Sequence, residues 1–450
     1  MTLKALRCII NTYVKGMYTK GVIDYATFNY LNNGNQIDYG PGYMHILPKI
    51  HRLNESELVK INKYGFNIDN IMPPCRPIIS QIGTVTEFIG RYIDYFLVPM
   101  VQKQHTYIKD TSDLIYKLER IKPNADCWLC SFDVVSMYTN CPIDELLSAV
   151  RISYDQFDKS DYKIKCPPTD DLIYLLRSIL ENNIFDFNGQ LYKQTIGAAI
   201  GAVPSPEICD ILMYKIMKEI LSKFEHRKNI FFYGRYRDDI ILIYHGDSKE
   251  IKDLLKLANI HHPFLKFTLE FSSKEIIFLD VNIFKGTRFS NENILDVKTH
   301  FKPTNAFLYL DRKSCHSRHV FAGFIKGEVI RYIRTTNNDV DLQYILLQFR
   351  SNLIKRGYKE IEIEKYITEA LSCNRSDLIR KKAKQNTKEI PLVLATKFNP
   401  CIHKLKQCIS KHWDLLKQDA VCNEIFSSKP IIAYKKHKNI ADLLTTTKLK

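Results

Sequence analysis

The chain has 450 residues, 45% hydrophobic and 25% charged, a balance that suits globular material of two or three subdomains and excludes a disordered or fibrous chain. A formal charge of +16 and a pI near 9.1 suit a phosphate backbone as partner better than an anionic membrane. No apolar run reaches bilayer length and the N-terminus lacks the core and cleavage site of a leader, so no membrane partner is expected and the protein is read as cytosolic or nuclear.

Twelve cysteines are scattered along the chain. Only Cys127 and Cys130 have C-x-x-C spacing, inside a strand-like run where buried thiols are the expectation. Cys315, His316 and His319 offer three ligands without a fourth.

Residues 1–39 are a mixed run with a turn at Asn33 and Gly34, read as an extension on the main body. GPGYMHILPKIHR, residues 40–52, presents Lys49, His51 and Arg52 on a basic loop or strand. PPCRPIIS, residues 73–80, is extended because proline biases its predecessor away from helix, which sets Arg76 on stiff backbone. Thr84 and Glu87 have capping-box spacing before a helix whose face carries Phe88, Ile89, Tyr92, Ile93, Phe96 and Leu97. A short helix is expected over residues 112–121.

CWLCSFDVVSMYTNCP, residues 127–142, reads as a central buried strand with one carboxylate, Asp133, near its end. A buried carboxylate needs a metal, a cation or a donor network. Pro142 opens the next helix, and residues 169–182 form another with an acidic first turn. IFDF, Asn188-Gly189 and QLYK spell a hairpin with a type I′ turn. In the segment that follows, Gly197 and Gly201 permit close backbone approach and Ser205 with Pro206 caps a helix. Such a turn either lies flat beneath a nucleotide or simply joins hairpin to helix.

FFYGRYRDDIILIY, residues 231–244, suits two paired strands with Arg237, Asp238 and Asp239 at the tip. Adjacent acids repel unless a divalent cation sits over them; a solvated turn is the plain alternative. A helix over residues 248–259 and strands at FTLEF and IIFLDVNIF follow. This order fits an α+β fold, an antiparallel sheet with helices on one face. No phosphate loop or dinucleotide fingerprint interrupts it.

Asp133 in FDVVSMYTNCP, the turn GAAIGAVPSP and YRDD at Tyr236 to Asp239 resemble motifs A, B and C of reverse transcriptases. LPKIHR at Leu47 to Arg52, RPI at Arg76 to Ile78, FLDV at Phe278 to Val281 and KPT at Lys302 to Thr304 make the chain similar to the reverse transcriptases of Penelope-like retroelements, from about residue 40 onward. The resemblance implies a right-hand polymerase: fingers over residues 40–125, an antiparallel palm over 126–290, a helical thumb over 291–400 and a basic connector over 401–450. It implies two Mg²⁺ ions, with Mn²⁺ as a substitute, on Asp133, Asp238 and Asp239. It further implies Arg76 and Lys49 on the triphosphate, Tyr138 as the gate against a ribose 2′-hydroxyl, Gly201 bordering the nucleotide and Lys274 as a motif D lysine, the exposed strand-end reading of which stands beside it. Expected partners are an RNA template, a DNA primer and dNTPs, with work in the nucleus.

Arg237, Ile200 and Ala202 depart from the family pattern. Many members continue into a GIY-YIG endonuclease and some lack it; the sequence stops at Lys450 before one, which leaves truncation and absence both open, with a separate endonuclease as a further partner the resemblance allows. The carboxylates alone also admit a two-metal nuclease, and the departures admit a polymerase-derived nucleic-acid-binding protein with little turnover.

Overall fold

From Trp128 to Val134 the chain alternates Leu129, Ser131 and Asp133 with Cys130, Phe132 and Val134, and in the computed structural model of the protein this run is an interior strand of a four-stranded sheet. The structure describes residues 2–32, 39–49, 53–54, 56–57, 59–60, 74–380, 392–399, 405–425 and 428–435.

Helices α1 (Leu3–Thr19) and α2 (Tyr25–Asn32) precede strands β1 (Gly42–Pro48) and β2 (Cys75–Ser80). Helices α3 (Glu87–Gln102) and α4 (Thr111–Leu118) lead to β3 (Trp128–Val134), followed by α5 (Met137–Asn140), α6 (Ile143–Gln156) and α7 (Thr169–Glu181). The hairpin β4 (Ile184–Phe187) and β5 (Gln190–Lys193) leads to the long α8 (Ser205–Lys223), then to the hairpin β6 (Ile230–Tyr236) and β7 (Asp239–Tyr244). Next come α9 (Ser248–His261), β8 (Phe267–Ser272), β9 (Glu275–Phe278), β10 (Val281–Phe284), α10 (Thr287–Glu292) and β11 (Asp296–Thr299). Helices α11 (Arg318–Thr335), α12 (Asp339–Lys355), α13 (Glu360–Leu371) and α14 (Arg375–Ile379) follow, and the C-terminal part holds β12 (Val393–Lys397), α15 (Leu405–Leu416), α16 (Ala420–Ile425) and β13 (Ile431–Lys435).

The fold is α+β. Its main sheet has the order β6-β7-β3-β8 and is antiparallel throughout. The period of two sends Cys130, Phe132 and Val134, with Ile240 and Leu242, into a core shared with α3, α6, α7 and α8. Leu129, Ile241 and Ile243 face the other way, into a second core with Ile276, Phe278, Val281 and Ile283 of β9 and β10. A mixed sheet of order β2-β1-β4-β5 flanks this body, with β1 parallel to β4. Helices α11 to α13 close on their own core around Phe321, Tyr332, Phe349 and Ile367. No helix among the described residues is long and apolar enough to cross a membrane.

Several local expectations hold. Asn188 and Gly189 both have positive φ, 54° and 79°, as a type I′ turn requires, and Pro142 stands at the start of α6. The first residues are helical, with Leu6, Ile10, Val14 and Met17 in the main core, and the Tyr13 hydroxyl donates to Asp171 at 2.5 Å. Asn33, Gly34, His51 and Arg52 lie outside the described residues.

Other expectations change. IIFLDVNIF is two strands, β9 and β10, because Leu279 turns left-handed (φ 55°) and folds the run back on itself. Ser205 does not cap α8: its hydroxyl is buried without a partner, and Pro204 occupies the cap position. The capping-box pair is displaced by one residue, since Glu87 accepts the N–H of Gly83 at 2.7 Å while the Thr84 hydroxyl donates to the Gln81 carbonyl at 2.8 Å. Asp133, expected to be buried, is exposed.

Candidate active site

Strand register brings the acids together. Phe132 of β3 pairs with Ile240 of β7, so one step further along both strands Asp133 stands beside Asp239, on the face that carries Leu129 and Ile243 deeper in the sheet. Tyr236 pairs with Asp239, leaving Arg237 and Asp238 as a two-residue hairpin loop. Arg237 has φ 60°, a left-handed conformation that hairpin twist requires and that glycine usually supplies.

The electrostatics follow from this crowding. Burial raises the Asp238 carboxyl above its ordinary range and Asp133 adds to the rise, while a backbone N–H, Arg76 and Arg237 oppose it. Asp239 is pushed up to about 6, first by burial, then by Asp238 and Asp133, with Lys302 and Arg76 pulling the other way. The two hairpin acids are half-buried, whereas Asp133 is exposed. Among the described residues no group of three or more His, Cys, Asp or Glu is drawn close enough to hold a metal, Cys315, His316 and His319 included. The three acids feel one another without sharing a common ligand distance. Their donor chemistry fits a hard divalent cation, because oxygen ligands are what such ions take and a cation relieves the repulsion that raises both carboxyls.

Arg76, on β2, lies within the field of both hairpin acids. The glycine turn holds its strand there. The Ile79 N–H donates to the Ile200 carbonyl at 2.7 Å, and a Cβ on Gly201 (φ 117°) would stand 2.5 Å from the Ile79 carbonyl. At the other end of the turn the Ala198 N–H donates to the Tyr138 carbonyl at 2.7 Å, and a Cβ on Gly197 would come within 2.4 Å of the same oxygen. The close approach these glycines permit is thus to protein backbone, and the turn is the joint between β2, α5 and α8. Tyr138, on α5, has its hydroxyl raised by burial and then by Cys209 and Asp238.

Lys49 follows the end of β1, and its N–H donates to the Pro74 carbonyl at 2.8 Å, at the same end of the strand pair as Arg76. Lys274 is elsewhere. It is exposed in the turn after β8, whereas Asp133 pairs with Thr268 near the start of that strand, six residues or roughly 20 Å away. The structure does not bring Lys274 to the acids, in keeping with an exposed strand-end lysine.

Two features escape a reading of the sequence. Lys302 acts on Asp239 from beyond β11; its KPT segment marks the residue but not its position. Beneath the hairpin, Arg237 pairs with Glu207 at 2.9 Å and Arg235 with Asp210 at 2.7 Å, and Asp94 of α3 adjoins Glu207 with its carboxyl pushed up to about 7, mainly by burial. R-x-R running from the strand end into the loop, and E-x-x-D on a helix, are the signal the sequence offers.

Residues 308–368 match the animal helix-turn-helix domain family, over the helices α11 to α13. A comparison with curated proteins gives no match. Among solved structures the chain is similar to telomerase from Candida albicans in complex with a TWJ fragment of telomeric RNA, at 13% identity and a TM-score of 0.48 over 68% of this chain and 56% of that one. It is similar to apo telomerase from Candida tropicalis at 14% identity and a TM-score of 0.42, over 75% of this chain and 57% of that one. The Sicinivirus 3Dpol RNA-dependent RNA polymerase is similar at 11% identity and a TM-score of 0.46, over 77% of this chain and 71% of that one. The chain thus spans a little over half the length of the telomerase chains it matches.

Proposed function

We propose that the chain is an RNA-directed DNA polymerase of the Penelope-like type, with residues 40–125 as fingers, 126–290 as palm, 291–400 as thumb and 401–450 as connector. The observation that carries the reading is the register that sets Asp133 beside Asp239 at the tip of an antiparallel sheet, with Asp238 next in the chain and Arg76 in the same field. That constellation supports phosphoryl transfer because a nucleotide brings negative charge that must be met by cations while a hydroxyl is activated.

Two Mg²⁺ ions, or Mn²⁺, held by Asp133, Asp238 and Asp239, supply when bound the charge that makes the primer 3′-hydroxyl acidic and stabilises the departing pyrophosphate. Arg76 offers a guanidinium fork to the triphosphate, with Lys49 as a second cation on the same edge. The ring of Tyr138 lies under the incoming ribose and leaves no room for a 2′-hydroxyl, which selects dNTPs. Gly201 keeps the turn low beside the nucleotide. RNA template and DNA primer run along the basic surface, and the chain works in the nucleus.

A nucleic-acid-binding protein of little turnover is the second reading, favoured by Arg237, Ile200 and Ala202 standing where the reverse-transcriptase pattern has other residues. Primer extension separates the two. With RNA template, DNA primer, dNTPs and Mg²⁺, the parent extends, and Asp133→Asn or Asp238→Asn lowers the rate on the order of a hundredfold or more. Template-primer binding without extension by the parent favours the second reading, and Mg²⁺-dependent shortening of the primer points to a nuclease.

A further inference from the structure

We propose that Arg237 is the positioning residue of the acid-bearing hairpin: Glu207 of α8 clamps its guanidinium, and the clamp sets where Asp238 and Asp239 present their carboxylates. The inference rests on the polymerase reading.

Arg237 holds a left-handed backbone (φ 60°) that a side-chain-bearing residue keeps only when its surroundings enforce it. The enforcement is visible on both sides. Its Nη1 donates to Glu207 Oε1 at 2.9 Å, with the Glu207 side chain 9% exposed. Its carbonyl accepts from Arg235 Nη1 at 3.4 Å. Arg235 is itself fixed: Nη2 donates to Asp210 Oδ1 at 2.7 Å and to Gln104 Oε1 at 2.5 Å, and the side chains of Arg235 and Asp210 are 1% and 2% exposed.

Arg235 near the end of β6 and Arg237 in the loop just beyond it both reach α8, meeting Asp210 and Glu207 respectively. Glu207 and Asp210 lie one turn apart on one helix face. The two pairs make a double ionic clasp between the hairpin and α8. Helix α8 begins four residues after Gly201, whose turn is bonded to Tyr138 and to the Arg76 strand, so the clasp refers the hairpin acids to the elements that face a nucleotide. Asp94 of α3 adjoins Glu207, and one of its oxygens is buried without a partner. Without the Arg237 cation, the buried Glu207 and the half-buried Asp94 beside it would lose the guanidinium that offsets their charge.

A double-mutant cycle tests this. Single-nucleotide incorporation gives kcat and the dNTP KM, and hydrogen exchange on the metal-free protein reads the amides of residues 236–240. Arg237→Met and Glu207→Gln are each expected to lower kcat about tenfold with KM within about twofold, and to speed exchange at the tip. Arg237→Lys has the same backbone demand as Met but keeps the charge, and it restores most of both readouts. The double variant is no worse than the worse single one, because both break one interaction. Should Arg237→Met fail to fold, the near-isosteric Glu207→Gln carries the test alone. Parent-like kcat and exchange in Glu207→Gln, equal impairment in Arg237→Lys and Arg237→Met, or additive losses in the double variant would overturn the clamp. Failure of the polymerase reading is distinguishable: the parent would not extend, or Asp238→Asn would extend as the parent does, while the exchange cycle would still report on the clamp.

Discussion

Asp133 stands beside Asp239 on neighbouring antiparallel strands, one step beyond the Phe132 and Ile240 pair. Three like charges gathered at that tip weaken the fold unless a cation joins them, so Mg²⁺ or Mn²⁺ is expected to stabilise the protein. Millimolar Mn²⁺ should raise the midpoint of thermal unfolding by about 2–4 °C, and Asp133→Asn should remove most of that gain. An equal gain in Asp133→Asn would place the stabilising ion elsewhere.

The raised carboxyls fix the sign of a pH effect. Asp94 is pushed up to about 7 and Asp239 to about 6, against 3.8 for an ordinary aspartate. Between about pH 4 and pH 7 the unfolded chain has released protons that the folded one retains. The stability that these groups contribute is present below the unfolded value, falls as pH rises through that window and levels off above it. Asp94→Asn should therefore be more stable than the parent at neutral pH, and the gap should narrow as pH falls toward about 4. Thermal unfolding across this range checks it; a gap that widens on acidification would contradict it.

The Tyr138 carbonyl accepts from the Ala198 N–H of the glycine turn. If its ring lies under the ribose, Tyr138→Ala should raise ribonucleotide incorporation relative to dNTPs by about tenfold or more, while Tyr138→Phe keeps the parental ratio. Competition between a dNTP and the matching NTP gives the number directly.

A side chain at Gly197 or Gly201 meets backbone and not a flexible neighbour. Gly201→Ala should cost about 1–3 kcal/mol from overpacking, with a further penalty for the positive φ. Denaturant unfolding measures the loss. Gly83 also has positive φ but has open space around it, so Gly83→Ala should pay the backbone penalty alone.

What the sequence makes legible here is what is written locally. Alternation and turn residues reveal β3, the Asn188-Gly189 hairpin and the strands around Arg237, since period and turn chemistry act over a few residues. The neighbourhood of Asp133 and Asp239 is not local. It depends on β7 lying next to β3, which the motif resemblance suggested and no spacing could supply. The burial of Asp133 was misread because a run of strand formers does not show which end of a strand projects from the core. The break at Leu279 was missed because a leucine in a left-handed turn carries no turn signal. Lys302 and the clasp of Arg235 and Arg237 on α8 stayed hidden for a related reason: ion pairs between distant segments follow from packing, not from the order of residues.

The most direct test is a crystal structure of the protein with RNA template, DNA primer, a non-hydrolysable dNTP and Mn²⁺, using the anomalous signal of the ion. The account predicts two peaks between Asp133, Asp238 and Asp239, within about 2.2 Å of their oxygens and bridged to the triphosphate. Anomalous density absent from this tip, or found only away from Asp133, would contradict it.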